Sequence, residues 1–140
     1  MEEARETFVK ENYETGELYM QYSILNNKLH GIYMLFYKSG RLAQQSTYKN
    51  GVLHGSLLEF YDIDYGNKIK KTCNYIDGKL SGQVKEFIIG KHHEDLITST
   101  YVNGVLHGLH TIETSIKGEI DHYFIYNKYE NGVLIETSEE

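Results

Sequence analysis

Histidine is the residue type in this chain whose spacing first suggests chemistry. His30, His54 and His107 each lie directly before a glycine, and Ser81 takes the equivalent place in a fourth segment. A row of three imidazoles suits either a metal site or a response to pH. If the segments stack as hairpins, successive members of the row lie about 10 Å apart, which is two strand spacings. A shared metal ion needs nitrogen ligands at about 2 Å, so we expect the histidines to have a structural role.

A second group of candidate ligands lies within one short segment, His92-His93-Glu94-Asp95. Adjacent histidines on a loop chelate metals weakly, and no second pair of ligands accompanies them. We therefore interpret the segment as a solvated insertion in a turn, and we expect neither a metal nor another cofactor. Cys73 has no nucleophile motif around it, so we expect a packed thiol rather than a catalytic one.

The densest basic patch consists of Lys68, Lys70 and Lys71. Each lysine contributes only about 1 kcal/mol at an anionic membrane surface, and the acidic remainder of the chain opposes such binding. Lipid binding therefore stays open as a disfavoured alternative. Glu59 and Glu86 occupy equivalent positions in two segments, and we expect them to lie on a solvated face.

The composition excludes several classes of protein. The 140 residues include 14 basic and 20 acidic side chains, a net charge of −6, which disfavours binding to nucleic acid. One cysteine rules out a disulfide framework and a cysteine-based zinc site. The amino end is acidic and no apolar run approaches the roughly 20 residues of a membrane span. Since no P-loop, GxSxG, HExxH or EF-hand pattern occurs, we expect a single non-enzymatic cytoplasmic unit.

The elements that position these side chains come from an internal repeat, which we call the turn motif. It reads YKNGVLHG from Tyr48, YIDGKLSG from Tyr75, YVNGVLHG from Tyr101 and YENGVLIE from Tyr129, with a degenerate copy, ILNNKLHG, from Ile24. Its first glycine position holds Asn27, Gly51, Gly78, Gly104 and Gly132, and its second holds Gly31, Gly55, Gly82 and Gly108. Asparagine is the non-glycine residue that best tolerates positive φ, so we interpret the first position as a backbone requirement.

Short runs rich in aromatic and β-branched residues lie between the turns, as in IYMLFY over residues 32–37. Such runs bounded by Asn-Gly predict β-hairpins, and no helical periodicity competes with them. Stacked hairpins would make an all-β, single-layer antiparallel sheet. We expect one domain, 1–140, with copies near 7–26, 27–50, 51–77, 78–103 and 104–131 and a C-terminal cap at 132–140. Tyr48, Tyr75, Tyr101 and Tyr129 would form one aromatic ladder, and Phe36, Phe60 and Phe87 another.

The unit Y-x-[ND]-G-x-L-x-G-x4-[FY] resembles the MORN repeat, in the short variant found in bacterial antitoxin-type proteins and in large DNA viruses. The resemblance covers about residues 7–136. It implies a β-hairpin repeat solenoid of about five copies without a catalytic centre. It also implies a role as a protein–protein scaffold, as an inhibitor of one partner, or as a phospholipid-associated module. The compartment would be bacterial cytoplasm, or host cytoplasm or virion for a viral protein.

The leading functional prediction is a non-catalytic scaffold that recognises a protein through a rigid β surface. Tyr33, Tyr37 and Tyr61 are the candidate anchors, because aromatic residues dominate binding hot spots. The alternative is an antitoxin or immunity protein that neutralises one partner, and a membrane-tethering module is the third choice. The charge of −6 favours a basic partner under either leading model. Glutamates at both ends protect the terminal strands, so we expect a monomer or a weak homodimer.

Overall fold

The computed structural model describes residues 4–64 and 66–140, and the regular structure within them is entirely β. The strands are β1 (Thr7–Asn12), β2 (Leu18–Leu25), β3 (Lys28–Phe36), β4 (Leu42–Lys49), β5 (Val52–Phe60), β6 (Ile69–Ile76), β7 (Lys79–Leu80), β8 (Gly82–Ile89), β9 (His93–Val102), β10 (Val105–Ile116), β11 (His122–Glu130) and β12 (Val133–Glu139). They form one open antiparallel sheet of 12 strands in chain order, in which the short β7 pairs only with β6. The predicted all-β class and the single antiparallel sheet are confirmed.

The turn motifs form tight hairpins because their central residues adopt positive φ. Asn50 has a φ of 52° and Gly51 one of 84°, and Asp77 and Gly78 have 47° and 80°. These are the values that a two-residue type I′ hairpin requires, and its twist matches that of the flanking strands. In the degenerate motif Asn27 has a φ of 59°, within the left-handed range that asparagine tolerates.

The second glycine of the motif lies at a β-bulge. Between β4 and β5, Ser46 is opposite Leu57 and Tyr48 is opposite Leu53, so one residue of β4 faces three of β5. Gly55 lies in that bulge with a φ of 110°, which is unfavourable for a residue with a Cβ atom. In the ladder on its other side, Gly55 is opposite Tyr75 of β6.

The strand register distributes the side chains over two different faces. One, the tyrosine face, has a central row of side chains flanked by the motif tyrosines: Tyr22, Tyr33, Ser46, Leu57, Cys73, Val84, Ser99, His110 and Asn127. The opposite, threonine face carries Thr47, Thr72, Thr98, Thr100 and Thr111. Among the described residues, five of the six buried side chains belong to the tyrosine face, namely Ser46, Leu57, Cys73, Val84 and Ser99, and the sixth is Phe60. The small core of this single layer therefore lies on the tyrosine face.

The motif tyrosines do not stack directly on one another. Tyr48 lies between Gly31 and Leu53, and Tyr75 lies between Gly55 and Leu80. Equivalent tyrosines are two strands apart, or roughly 9.6 Å, and a leucine occupies the strand between them. The predicted direct aromatic ladder is therefore wrong, and a mixed row of tyrosine and leucine replaces it.

Candidate functional site

Backbone hydrogen bonds join each turn motif to the next. The amide of the first motif glycine donates to the leucine carbonyl of the preceding motif, always over 2.8 Å: Gly51 to Leu29, Gly78 to Leu53, Gly104 to Leu80 and Gly132 to Leu106. The same geometry at four places fixes how one hairpin sits against its neighbour. The motif glycines thus act through the backbone.

The recurring histidines contact the following turn. The backbone N–H of Asn50 donates to His30 Nδ1 over 3.5 Å, and that of Asn131 donates to His107 Nδ1 over 3.3 Å. His54 Nδ1 lies 3.3 Å from the backbone nitrogen of Asp77 and 3.1 Å from its Oδ1. Each imidazole therefore bridges two successive motifs.

A second set of inter-motif contacts uses tyrosine hydroxyl groups. Tyr13, Tyr37 and Tyr61 donate to the backbone carbonyls of Phe36, Phe60 and Phe87, over 2.7, 2.8 and 2.6 Å respectively. Because these contacts are partly buried, the hydroxyl groups hold neighbouring hairpins together. Sequence reasoning missed this role, although the regular spacing of tyrosine before a turn was a signal for it.

The three tyrosines named as candidate anchors are all half-buried. The hydroxyl groups of Tyr37 and Tyr61 are engaged in the contacts just described. The Tyr33 ring lies 5.7 Å from that of Tyr22 and 5.8 Å from that of Tyr48, measured between centroids. Their binding of a partner stays a prediction, since the structure gives each of them an internal contact as well.

We expect Tyr61→Phe to lower the free energy of unfolding by about 1–1.5 kcal/mol, because it removes one hydrogen bond and leaves the Phe87 carbonyl without its donor. Urea denaturation followed by circular dichroism measures the change. Tyr123→Phe is the matched control, since this ring is 52% exposed, and we expect it to change stability by less than about 0.5 kcal/mol. Equal losses in the two variants would contradict the structural role of the Tyr61 hydroxyl.

The row of tyrosine–carbonyl hydrogen bonds ends at Ile88. Tyr37 and Tyr61 each follow a phenylalanine, and the residue that follows Phe87 is Ile88, which has no hydroxyl to donate. A cavity opens beside Phe87 on the threonine face, and we call it the β8–β9 cavity. Its lining includes side chains that β8, β9 and β10 place on the threonine face, namely Phe87, Glu94, Leu96 and Glu113.

Lys68 also lines this cavity, whereas the strand register places the Asp95 side chain on the opposite, tyrosine face. Lys68 Nζ lies 3.3 Å from Glu94 Oε1, and His122 Nδ1 lies 2.9 Å from Glu113 Oε1. Asp95 Oδ2 lies 3.5 Å from His93 Nε2. Asp95 Oδ1 is buried and is the one such side-chain atom in the described ranges that has no hydrogen-bond partner. Such an orphaned acceptor is rare in native proteins.

Most of the lysine patch is engaged with other side chains. Lys71 Nζ lies 2.7 Å from Glu86 Oε1, and this hydrogen bond raises the pKa of Lys71 above its ordinary value. Lys68 is paired with Glu94, and Lys70 Nζ lies 5.9 Å from the centre of the Tyr61 ring. We expected Glu86 to lie on a solvated face, and the structure shows that Lys71 partly neutralises its charge.

Cys73 lies in the buried row of the tyrosine face. Burial raises the pKa of its thiol above the ordinary value, which disfavours the thiolate that a nucleophile or metal ligand needs. Within residues 4–64 and 66–140, the structure brings together no group of three or more histidine, cysteine, aspartate or glutamate side chains suited to one metal ion.

No family model, curated protein or solved structure matches the chain. Over the described ranges, no helix has the length and apolar character needed to cross a bilayer.

Proposed function

We propose that the chain is a non-catalytic repeat protein, a MORN-like solenoid of about five copies, that binds a protein partner through its sheet. The observation that carries the proposal is an open sheet whose successive hairpins are joined by the same backbone and side-chain hydrogen bonds. These bonds hold an extended surface rigid, and a rigid surface loses little entropy when it binds.

Exposed apolar side chains along the turn-motif edge support the same proposal. The row comprises Val52, Ile76, Val102, Val105 and Val133, each between 45% and 63% exposed. A contiguous row of exposed apolar side chains is typical of interaction surfaces. The charge of −6 favours a basic partner through electrostatic steering.

An antitoxin or immunity role is the second candidate, and the interruption of the tyrosine–carbonyl row at Ile88 favours it. The row is regular at Tyr13, Tyr37 and Tyr61 and is interrupted at Ile88, so the sheet differs locally at this place. A single site suits a protein that neutralises one partner, whereas equivalent surfaces on several hairpins suit a scaffold.

Affinity capture from the native host with the purified chain as bait tests the proposed function. We expect one basic protein to be recovered at physiological salt and to bind again when both proteins are purified. Deleting one hairpin weakens a scaffold gradually, whereas a single point substitution on the surface around Ile88 abolishes binding by an antitoxin. The absence of any partner that rebinds in purified form would contradict both roles.

A further inference from the structure

One row of cross-strand neighbours on the tyrosine face changes from charged to apolar along the sheet. From β4 to β8 it holds Gln44, Glu59, Lys71 and Glu86. From β9 to β11 it holds Ile97, Ile112 and Ile125, which we call the isoleucine row. Because the same hairpin geometry forms around charged side chains in this row, the fold itself does not require the isoleucines.

Exposed apolar side chains accompany the isoleucine row on the same half of this face. Ile88, Tyr123 and Leu134 are 42%, 52% and 49% exposed, and the strand register places them on the tyrosine face. The three isoleucines are half-buried by their neighbours within the sheet. Apolar surface that is gathered on one half of one face indicates an interaction surface.

A single layer leaves more surface in contact with water than a compact protein of the same size does. The accessible surface of the chain is 9512 Å², whereas a globular monomer of this mass exposes about 7,500 Å². The excess is larger than the area of about 800 Å² that each partner buries in a stable interface. Domains are normally built from two packed layers, and the strands of the described ranges form one.

We propose that two copies of the chain pack face to face through the isoleucine row, so that each copy supplies the second layer for the other. A two-fold dimer needs a surface that is complementary to itself. An uncharged row of isoleucines meets this condition, because it interdigitates with the same row of another copy at the usual sheet spacing of about 10 Å. The dimer leaves the threonine face free, including Val52 and Val105 of the turn-motif edge, so a protein partner still has access to that edge.

The charge of the chain determines how the dimer responds to salt. Each copy has a net charge of −6, and the carboxylates of Glu86, Asp95 and Glu139 border the isoleucine row. Salt screens the repulsion between the copies, so the dimer should be about fivefold tighter at about 0.5 M than at about 0.05 M sodium chloride. Binding of a basic partner should weaken over the same range, which separates the dimer from the proposed function.

Sedimentation equilibrium of the purified chain tests the proposal. At about 100 µM, well above a micromolar dissociation constant, we expect wild type to have twice the monomer mass of 16.3 kDa. Ile112→Glu should weaken the dimer by about a hundredfold or more, since each copy then buries an unpaired carboxylate. Leu109→Glu, the same change in the same strand on the threonine face, should keep the mass of wild type. A monomeric wild type at both salt concentrations, or equal weakening by the two variants, would overturn the proposal.

The double variant Ile112→Glu/Ile125→Lys guards against a folding defect in Ile112→Glu. The two residues are cross-strand neighbours, and the new pair repeats the arrangement of Glu59 and Lys71 at the equivalent position. The net charge stays −6, so we expect a monomer with the circular dichroism spectrum of wild type. A folded double variant that still dimerises as tightly as wild type would overturn the proposal. If wild type is monomeric and the captured partner requires Ile112, the surface belongs to that partner, so the dimer is wrong and the protein-binding function stands.

Discussion

Leu57→Ala should lower the free energy of unfolding by about 2–4 kcal/mol, the usual cost of truncating a buried leucine. Leu57 is 7% exposed and packs with Cys73 and Val84 in the small core of the tyrosine face. One layer offers few other buried side chains to compensate, so the loss is large relative to the stability of a small domain. Urea denaturation monitored by circular dichroism gives the change directly.

Leu109→Ala is the control for this truncation, because it removes the same atoms from the threonine face. Leu109 is 55% exposed, and we expect a loss of no more than about 0.5–1 kcal/mol. If the two variants lose equal stability, the tyrosine face does not hold the core. A larger loss in Leu57→Ala supports packing on one face only.

Gly78→Ala is expected to destabilise the protein by about 2–3 kcal/mol through two separate effects. Gly78 has a φ of 80°, which is unfavourable for alanine, and an added Cβ would lie 3.3 Å from Val52 Cγ1. The Gly78 amide also donates to the Leu53 carbonyl over 2.8 Å, so a displaced backbone weakens the contact between motifs. Chemical denaturation of the purified variant measures the loss.

Gly40→Ala separates backbone strain from steric contact. Gly40 has a φ of 84°, and nothing lies within 4 Å of an added Cβ, so only the strain of about 1–2 kcal/mol remains.

The double variant Val52→Ala/Gly78→Ala tests the Val52 contact, because the contacting methyl is absent from it. The stability losses of the two single variants, added together, should exceed the loss measured for the double variant by about 0.5–1 kcal/mol. If the loss in the double variant equals the sum of the losses in the two single variants, the Val52 contact contributes nothing.

The sheet follows from the sequence because its turns have strong local signals. An Asn-Gly pair specifies the hairpin through its own backbone preferences, and short runs rich in aromatic and β-branched residues specify the strands. The bulge at Gly55 was harder to foresee, because a glycine does not reveal which residues will face each other across the ladder. The aromatic ladder was placed wrongly for a different reason: Tyr48 and Tyr75 lie two strands apart, and Leu53 occupies the strand between them.

The candidate site was less accessible to sequence reasoning. Tyr37 and Tyr61 donate to backbone carbonyls, and a sequence pattern does not show which carbonyl lies opposite a side chain. Asp95 was foreseen only as a member of a solvated insertion, yet one of its oxygens is buried. Isoleucine at position 88, where earlier motifs have tyrosine, was the visible signal that this part of the sheet differs.

The hydrogen bonds between motifs also determine how the sheet assembles. The bond from Asn50 to His30 spans 20 residues, and that from Tyr61 to Phe87 spans 26. The principal contacts join strands that are neighbours along the chain. Each contact closes a short loop at low entropic cost, and low contact order favours rapid folding. Folding can begin at any pair of hairpins and extend outward, and one hairpin can open while distant hairpins keep all of their own contacts.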